Sequence, residues 1–95
     1  MEVDQIVCDS VEKLYEIFGH PSFFDEKTKI ENKLEEAQYN PGSVRVWSDC
    51  ILAVLLAARG QGYSPKAVFK DLAQLAADTR EKTWKKMPDG TYQAM

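Results

Sequence analysis

Nine consecutive apolar residues, Cys50-Ile51-Leu52-Ala53-Val54-Leu55-Leu56-Ala57-Ala58, constrain this chain more than any other feature. The run is far shorter than the ~20 residues that span a bilayer as a helix. It lies inside a longer segment, about Ser43 to Arg59, bounded by Asn40-Pro41-Gly42-Ser43 before it and by Gly60 and Gly62 after it. Such turn residues punctuate a single helix. A helix that is apolar nearly all round must be covered on most sides, so this one is predicted to form the centre of a bundle. With 95 residues there is room for one core and little to spare. The expectation is one all-α domain spanning residues 1–95, a four-helix bundle completed by oligomerisation as a homodimer or tetramer.

Three further helices are read from periodicity. The first runs from about Asp4 to Phe18, with Ile6, Val7, Val11, Leu14, Tyr15 and Phe18 at helical spacing. Gly19-His20-Pro21 stops it, because glycine suits a helix C-terminus and proline disfavours helix before it. Phe23 and Phe24 follow in a loop, expected to be buried across the helix ends. The second helix runs from about Asp25 to Tyr39 on an Ile30–Leu34–Ala37 stripe. The last opens at Ser64-Pro65, with serine as N-cap and proline at the first helical position. It is expected to bury Val68, Phe69, Leu72, Leu75 and Ala76 and to continue toward Trp84. Pro88-Asp89-Gly90-Thr91 marks a turn, so any β structure should be confined to this tail.

Composition narrows the function classes. The formal net charge of −3 gives no overall basic footprint for a nucleic-acid polymer. The N-terminal Met1-Glu2-Val3-Asp4 lacks the positive region and apolar run of a signal peptide, and no membrane span is expected, so a cytoplasmic location is read. Cys8 and Cys50 fall outside any paired motif and read as small buried hydrophobes.

The acidic residues pose the chemical question. Residues three or four apart on a helix share a face. Glu31 and Glu35 lie on one side of the second helix's apolar stripe, and Lys33 and Glu36 on the other. On the central helix Val46, Asp49, Cys50, Ala53 and Ala57 fall on one face, where the small residues let another helix approach closely. Asp49 therefore stands beside a buried apolar run. A carboxylate there is costly unless paired or bound to a metal. Two readings follow: a magnesium site made by Asp49 with carboxylates of the second helix, or a salt bridge from Asp49 to a lysine or arginine.

Trp47-Ser48-Asp49-Cys50-Ile51-Leu52, then Ala57-Ala58-Arg59-Gly60-Gln61-Gly62-Tyr63-Ser64, resembles the core of the MazG-like nucleotide pyrophosphohydrolases. The likeness is greatest to the small dATP/dGTP pyrophosphohydrolase branch often found in phages and mobile elements. Thr79-Arg80-Glu81-Lys82-Thr83-Trp84 and Pro88-Asp89-Gly90-Thr91-Tyr92 stand where that branch carries its N-x-x-R-x-W and P-D-G segments. The resemblance covers roughly residues 27 to 92. It implies a Mg²⁺-dependent hydrolase that splits a nucleoside triphosphate, as dNTP to dNMP and pyrophosphate. In that family an E-x-x-E on one helix and an E-x-x-D on the next hold the ions. Aligned on Pro41, these positions are Lys33 and Glu36, then Val46 and Asp49. The implied metal ligands are thus Glu36 and Asp49, with Glu31 or Glu35 brought in only by a one- or two-residue shift. The site is degenerate. Two carboxylates and an ammonium nearly cancel the negative potential that four carboxylates offer a cation, and Lys33 is placed to pair with Asp49 or Glu36 directly. The alternative function is a non-catalytic nucleotide-binding or protein-interaction module of the same fold.

Arg80, Lys82, Lys85 and Lys86 surround Trp84 in a basic run. It reads either as a solvated helix end favoured by the macrodipole or as a substrate-binding lip of Arg80, Lys82, Trp84 and Lys85. His20, the sole histidine, reads as a loop residue, and with no partner in the sequence it supports no catalytic triad.

Overall fold

A computed structural model describes residues 2–95, so Met1 lies outside the described residues. The fold is all-α: α1 (Val3–Ile17), α2 (Phe23–Tyr39), α3 (Val44–Gly60) and α4 (Pro65–Glu81), followed by a small hairpin of β1 (Trp84–Lys86) and β2 (Tyr92–Ala94). No helix is long and apolar enough to cross a membrane among these residues.

Local chemistry sets the helix ends. Ser64 Oγ accepts the Ala67 N–H at 3.1 Å, with Pro65 next to it at the start of α4. Ser22 does the same for α2, accepting the Asp25 N–H at 3.2 Å. That cap starts α2 at Phe23, two residues earlier than the expected Asp25. Phe23 and Phe24 therefore ride on its first turn, edge-to-face with ring centroids 5.8 Å apart, and both are exposed. The loop expected to bury them does not exist. At the end of α1, Gly19 and His20 both take positive φ, +71° and +56°. The second value is unfavourable for a side-chain-bearing residue. It is offset by stacking of the His20 ring on Tyr15 at 4.6 Å and by a 3.0 Å contact from Nε2 to Glu16.

α3 is the central element, as expected. α1 lies along one side of it through Val11, Leu55 and Leu56, with Val68 and Phe69 of α4 closing the same cluster. Arg59 Nε reaches across to both carboxylate oxygens of Glu12, at 3.0 and 2.9 Å, and its guanidinium lies 4.7 Å from the Tyr15 ring centre. These bonds, donated to the Glu12 carboxylate, hold the Arg59 guanidinium pKa above its ordinary value. α2 lies along the adjoining side as the antiparallel neighbour, joined by the tight Asn40–Ser43 turn, and buries Ala37 against the α3 face of Val46, Cys50 and Ala53.

Coverage stops there. Val44, Trp47, Ile51 and Val54 are exposed, so α3 is open on a third side instead of being enclosed. Leu34 on α2, with Leu72, Leu75 and Ala76 on α4, is exposed as well, because the three other helices meet α3 from only two directions. α4 ends at Glu81 instead of continuing toward Trp84. Lys82 turns to extended backbone, and the Thr79 carbonyl accepts both the Lys82 N–H at 3.3 Å and the Trp84 indole N–H at 3.0 Å. The expected tail turn is present. Asp89 accepts from the Thr91 hydroxyl at 2.6 Å and the Thr91 N–H at 2.9 Å, and Gly90 supplies φ of +92°. The antiparallel strands pair Trp84 with Ala94 and Lys86 with Tyr92.

Candidate functional site

The seam between α2 and α3 carries the sequence-predicted carboxylates. On α2 the residues that face inward are Glu26, Ile30, Lys33 and Ala37, spaced four, three and four apart, which is one helical stripe. On α3 the opposing face is Val46, Asp49, Cys50 and Ala53. Close approach across the small residues brings Lys33 to Asp49. The Lys33 ammonium lies 3.5 Å from Glu36 Oε2 and 3.7 Å from Asp49 Oδ2. Glu36 and Asp49 are thus gathered at one point, with a lysine between them. Of the two partners open to Asp49, the structure shows the lysine. Val46, one turn before Asp49, is buried and offers no oxygen to a cation.

Beside this trio is a cleft of about 280 Å³, lined by Leu14, Phe18, Lys29, Lys33, Asp49 and Leu52 among others. Its lysines differ in their attachments. The Lys29 ammonium lies 4.9 Å from the Phe18 ring centre and 3.4 Å from Glu26 Oε1. Glu26 itself is only 1% exposed, and its Oε2 has no hydrogen-bond partner. Sequence reasoning missed this residue. The signal was available in its phase, since Glu26 stands seven residues before Lys33 and eleven before Ala37.

The remaining candidates are not gathered here. Glu31 faces away from α3 and pairs with Lys27 at 4.0 Å, and Glu35 is exposed on the same outer side of α2. Arg80 contacts its neighbour Glu81 at 3.6 Å near the end of α4, while Lys82, Trp84 and Lys85 are exposed along the start of the hairpin. The hairpin touches the end of α4 through the Trp84 indole, and among the described residues its strands do not pack against α2 or α3, so the basic tail and the α2–α3 seam are separate features of the chain.

The residues at the seam do not fit magnesium. Such an ion takes oxygen ligands in near-octahedral array, whereas an ammonium occupies the space between the only two carboxylates gathered there. Among the described residues no three histidine, cysteine, aspartate or glutamate side chains converge in a metal-binding group. What the arrangement does chemically is pair Asp49 and Glu36 with one shared ammonium at a partly exposed position. Comparison with protein-family models, curated proteins and solved structures finds no match to this chain.

Proposed function

We propose that this chain is a MazG-like pyrophosphohydrolase relative in which the metal-binding site has been replaced by an internal ion pair, leaving a non-hydrolytic module of that fold. One observation carries the reading: the Lys33 ammonium lies between Glu36 and Asp49, 3.5 and 3.7 Å from them. Metal-assisted hydrolysis of a phosphoanhydride needs a cation to polarise the phosphoryl group and activate water. A lysine held by the two surviving carboxylates supplies charge without open coordination positions for either task. The all-α fold with a small-residue contact face on α3 is consistent with the reading. So is the sequence likeness at residues 41–64 and 79–92.

A second reading is favoured by the exposed basic residues around Trp84: retained binding of a nucleoside triphosphate without turnover. Arg80, Lys82 and Lys85 would contact phosphates and Trp84 the base. Both readings are tested together. A panel of NTPs and dNTPs with Mg²⁺ or Mn²⁺ at high protein concentration is expected to release no pyrophosphate. Metal-dependent pyrophosphate release above a no-protein control contradicts the non-hydrolytic assignment. Calorimetric titration of dATP into the wild type and an Arg80→Ala/Lys82→Ala/Lys85→Ala variant then separates the two. Binding lost in the variant supports the second reading, and no heat in either supports a module that holds no nucleotide.

A further inference from the structure

We propose that the C-terminal hairpin is a stacking platform for single-stranded nucleic acid, Trp84 and Tyr92 each taking a base and the lysines around them the phosphates. Charge on this chain is segregated. Residues 1–78 carry 8 basic and 13 acidic side chains, whereas residues 79–95 carry 4 and 2, so the tail is net +2 on a chain of net −3. Arg80 contacts Glu81, but among the described residues no carboxylate lies within 4.0 Å of the Lys82, Lys85 or Lys86 ammonium. All three lysines are exposed. Unpaired ammonium groups this close in the chain favour a polyanion, whose condensed counterions are released as they bind it.

The strand register adds the aromatic half of the argument. Trp84 pairs with Ala94, and Lys86 with Tyr92. Side chains alternate along a strand and directly opposed residues share a face, so Trp84, Lys86, Tyr92 and Ala94 stand on one face of the hairpin. Lys85 and Gln93 stand on the other. Trp84 and Tyr92 are then diagonal neighbours, roughly 7–8 Å apart, with Lys86 next to both. That spacing lets two successive bases of an unstacked strand each meet a ring. The two residues are 40% and 63% exposed, respectively. The Trp84 indole N–H is already bound to the Thr79 carbonyl at 3.0 Å. Its ring is thus positioned before any ligand arrives and loses little freedom on binding.

The combination selects the partner. An acidic peptide meets the lysines but brings no flat base for the two rings. In a duplex the base faces are stacked on one another, out of reach of both rings. A free nucleoside triphosphate brings one base to two rings. An unpaired strand supplies phosphates and bases in alternation, and stacking serves any sequence because every base has a π-face. The proposal shares the basic tail with the nucleotide-binding reading above and differs from it in the ligand. It is independent of the Lys33 cluster, since the hairpin strands pack against neither α2 nor α3 among the described residues.

Fluorescence anisotropy of a labelled oligothymidine strand, titrated with the full chain at about 50 mM salt, is expected to saturate with Kd on the order of 10 µM. The logarithm of the binding constant should fall against the logarithm of salt with a slope of about −2, for three phosphates neutralised. Tyr92→Ala is expected to weaken binding about tenfold, and Tyr92→Phe to retain it, since the hydroxyl takes no part in stacking. Tyr92 is exposed, so neither change disturbs the helical core. Lys66→Ala/Lys70→Ala, in the first two turns of α4, is expected to bind as the wild type does. A duplex of the same length and dATP are each expected to compete about fivefold less well, or worse. No binding by the wild type overturns the proposal. So does unchanged affinity in a folded Tyr92→Ala variant, or an equal loss in the Lys66/Lys70 variant. Competition by dATP equal to that of the strand supports the nucleotide reading and overturns this one. Equal competition by the duplex reveals general attraction to a polyanion and overturns it too.

Discussion

Lys33 and Glu26 are two charged side chains on one inner stripe of α2, and they face different problems. Lys33 is partly in water and has two carboxylates within 3.7 Å. Exposed pairs of this kind contribute at most about 1 kcal/mol, so Lys33→Ala should lower stability by less than that in a urea melt. Lys33→Glu should cost more, because three carboxylates then crowd one point and repel. Its deficit should shrink on adding a divalent cation or salt, and a deficit insensitive to both would argue against the ion-pair description. Glu26 is buried, with one oxygen unpartnered and the other 3.4 Å from Lys29. A buried oxygen left without a hydrogen bond costs about 1–3 kcal/mol. Glu26→Met removes that oxygen and leaves Lys29 in contact with water, so it should raise stability by about 1–2 kcal/mol in a denaturant melt. A loss of stability there would show that Glu26 has partners the present geometry lacks. The family resemblance, aligned on Pro41, pairs Glu36 with Asp49, whereas helix spacing alone places Asp49 beside unspecified carboxylates of the second helix. The sequence hid Glu26, since a glutamate on a helix reads as solvated unless its phase with Ile30, Lys33 and Ala37 is followed back a further turn.

Among the elements, the central helix and its caps were legible and the coverage of its sides was not. Apolar content told that α3 is central, and Ser64-Pro65 located the start of α4, because both signals act within one turn of chain. The nearly all-apolar run of α3 signals that so few short helices leave part of it uncovered, but which residues stand there, Val44, Trp47, Ile51 and Val54, is decided by tertiary packing. The same applies to Leu72 and Leu75, whose stripe is well formed but faces no partner in one chain. Leu56, which joins α1 to α3, should be the more sensitive position. Leu56→Ala is expected to cost about 2–5 kcal/mol by thermal or denaturant unfolding, as large-to-small changes in cores do, and a cost under 1 kcal/mol would contradict the assigned core. The tail hairpin depends on Asp89. Hydrogen bonds from the Thr91 hydroxyl and then the Thr91 N–H hold its carboxyl below the ordinary aspartate pKa. A depressed folded-state pKa means the turn is supported above the ordinary carboxylate range and loses support as pH falls through the lowered value. Acid titration followed by Tyr92 and Thr91 amide shifts should show that loss as a local change, with α1–α4 still folded, and Asp89→Ala should reproduce it at neutral pH.

At the scale of the whole molecule, α3 has three sides with three fates. One holds the core with α1 and α4, one holds the lysine-paired seam with α2, and one, with Val44, Trp47, Ile51 and Val54, is left open. The seam decides whether the chain is read as a hydrolase or as a module that has exchanged its metal for a lysine. The most direct test is a thermal melt of the wild type across a Mg²⁺ series up to tens of millimolar, at fixed ionic strength, beside a Lys33→Glu/Val46→Glu variant. A ligand that binds only the native state raises Tm. The wild type is expected to show no Mg²⁺-specific rise, and the variant to melt lower without the ion and recover with it. A Mg²⁺-dependent increase in the wild-type Tm, abolished by Asp49→Asn, would contradict the account.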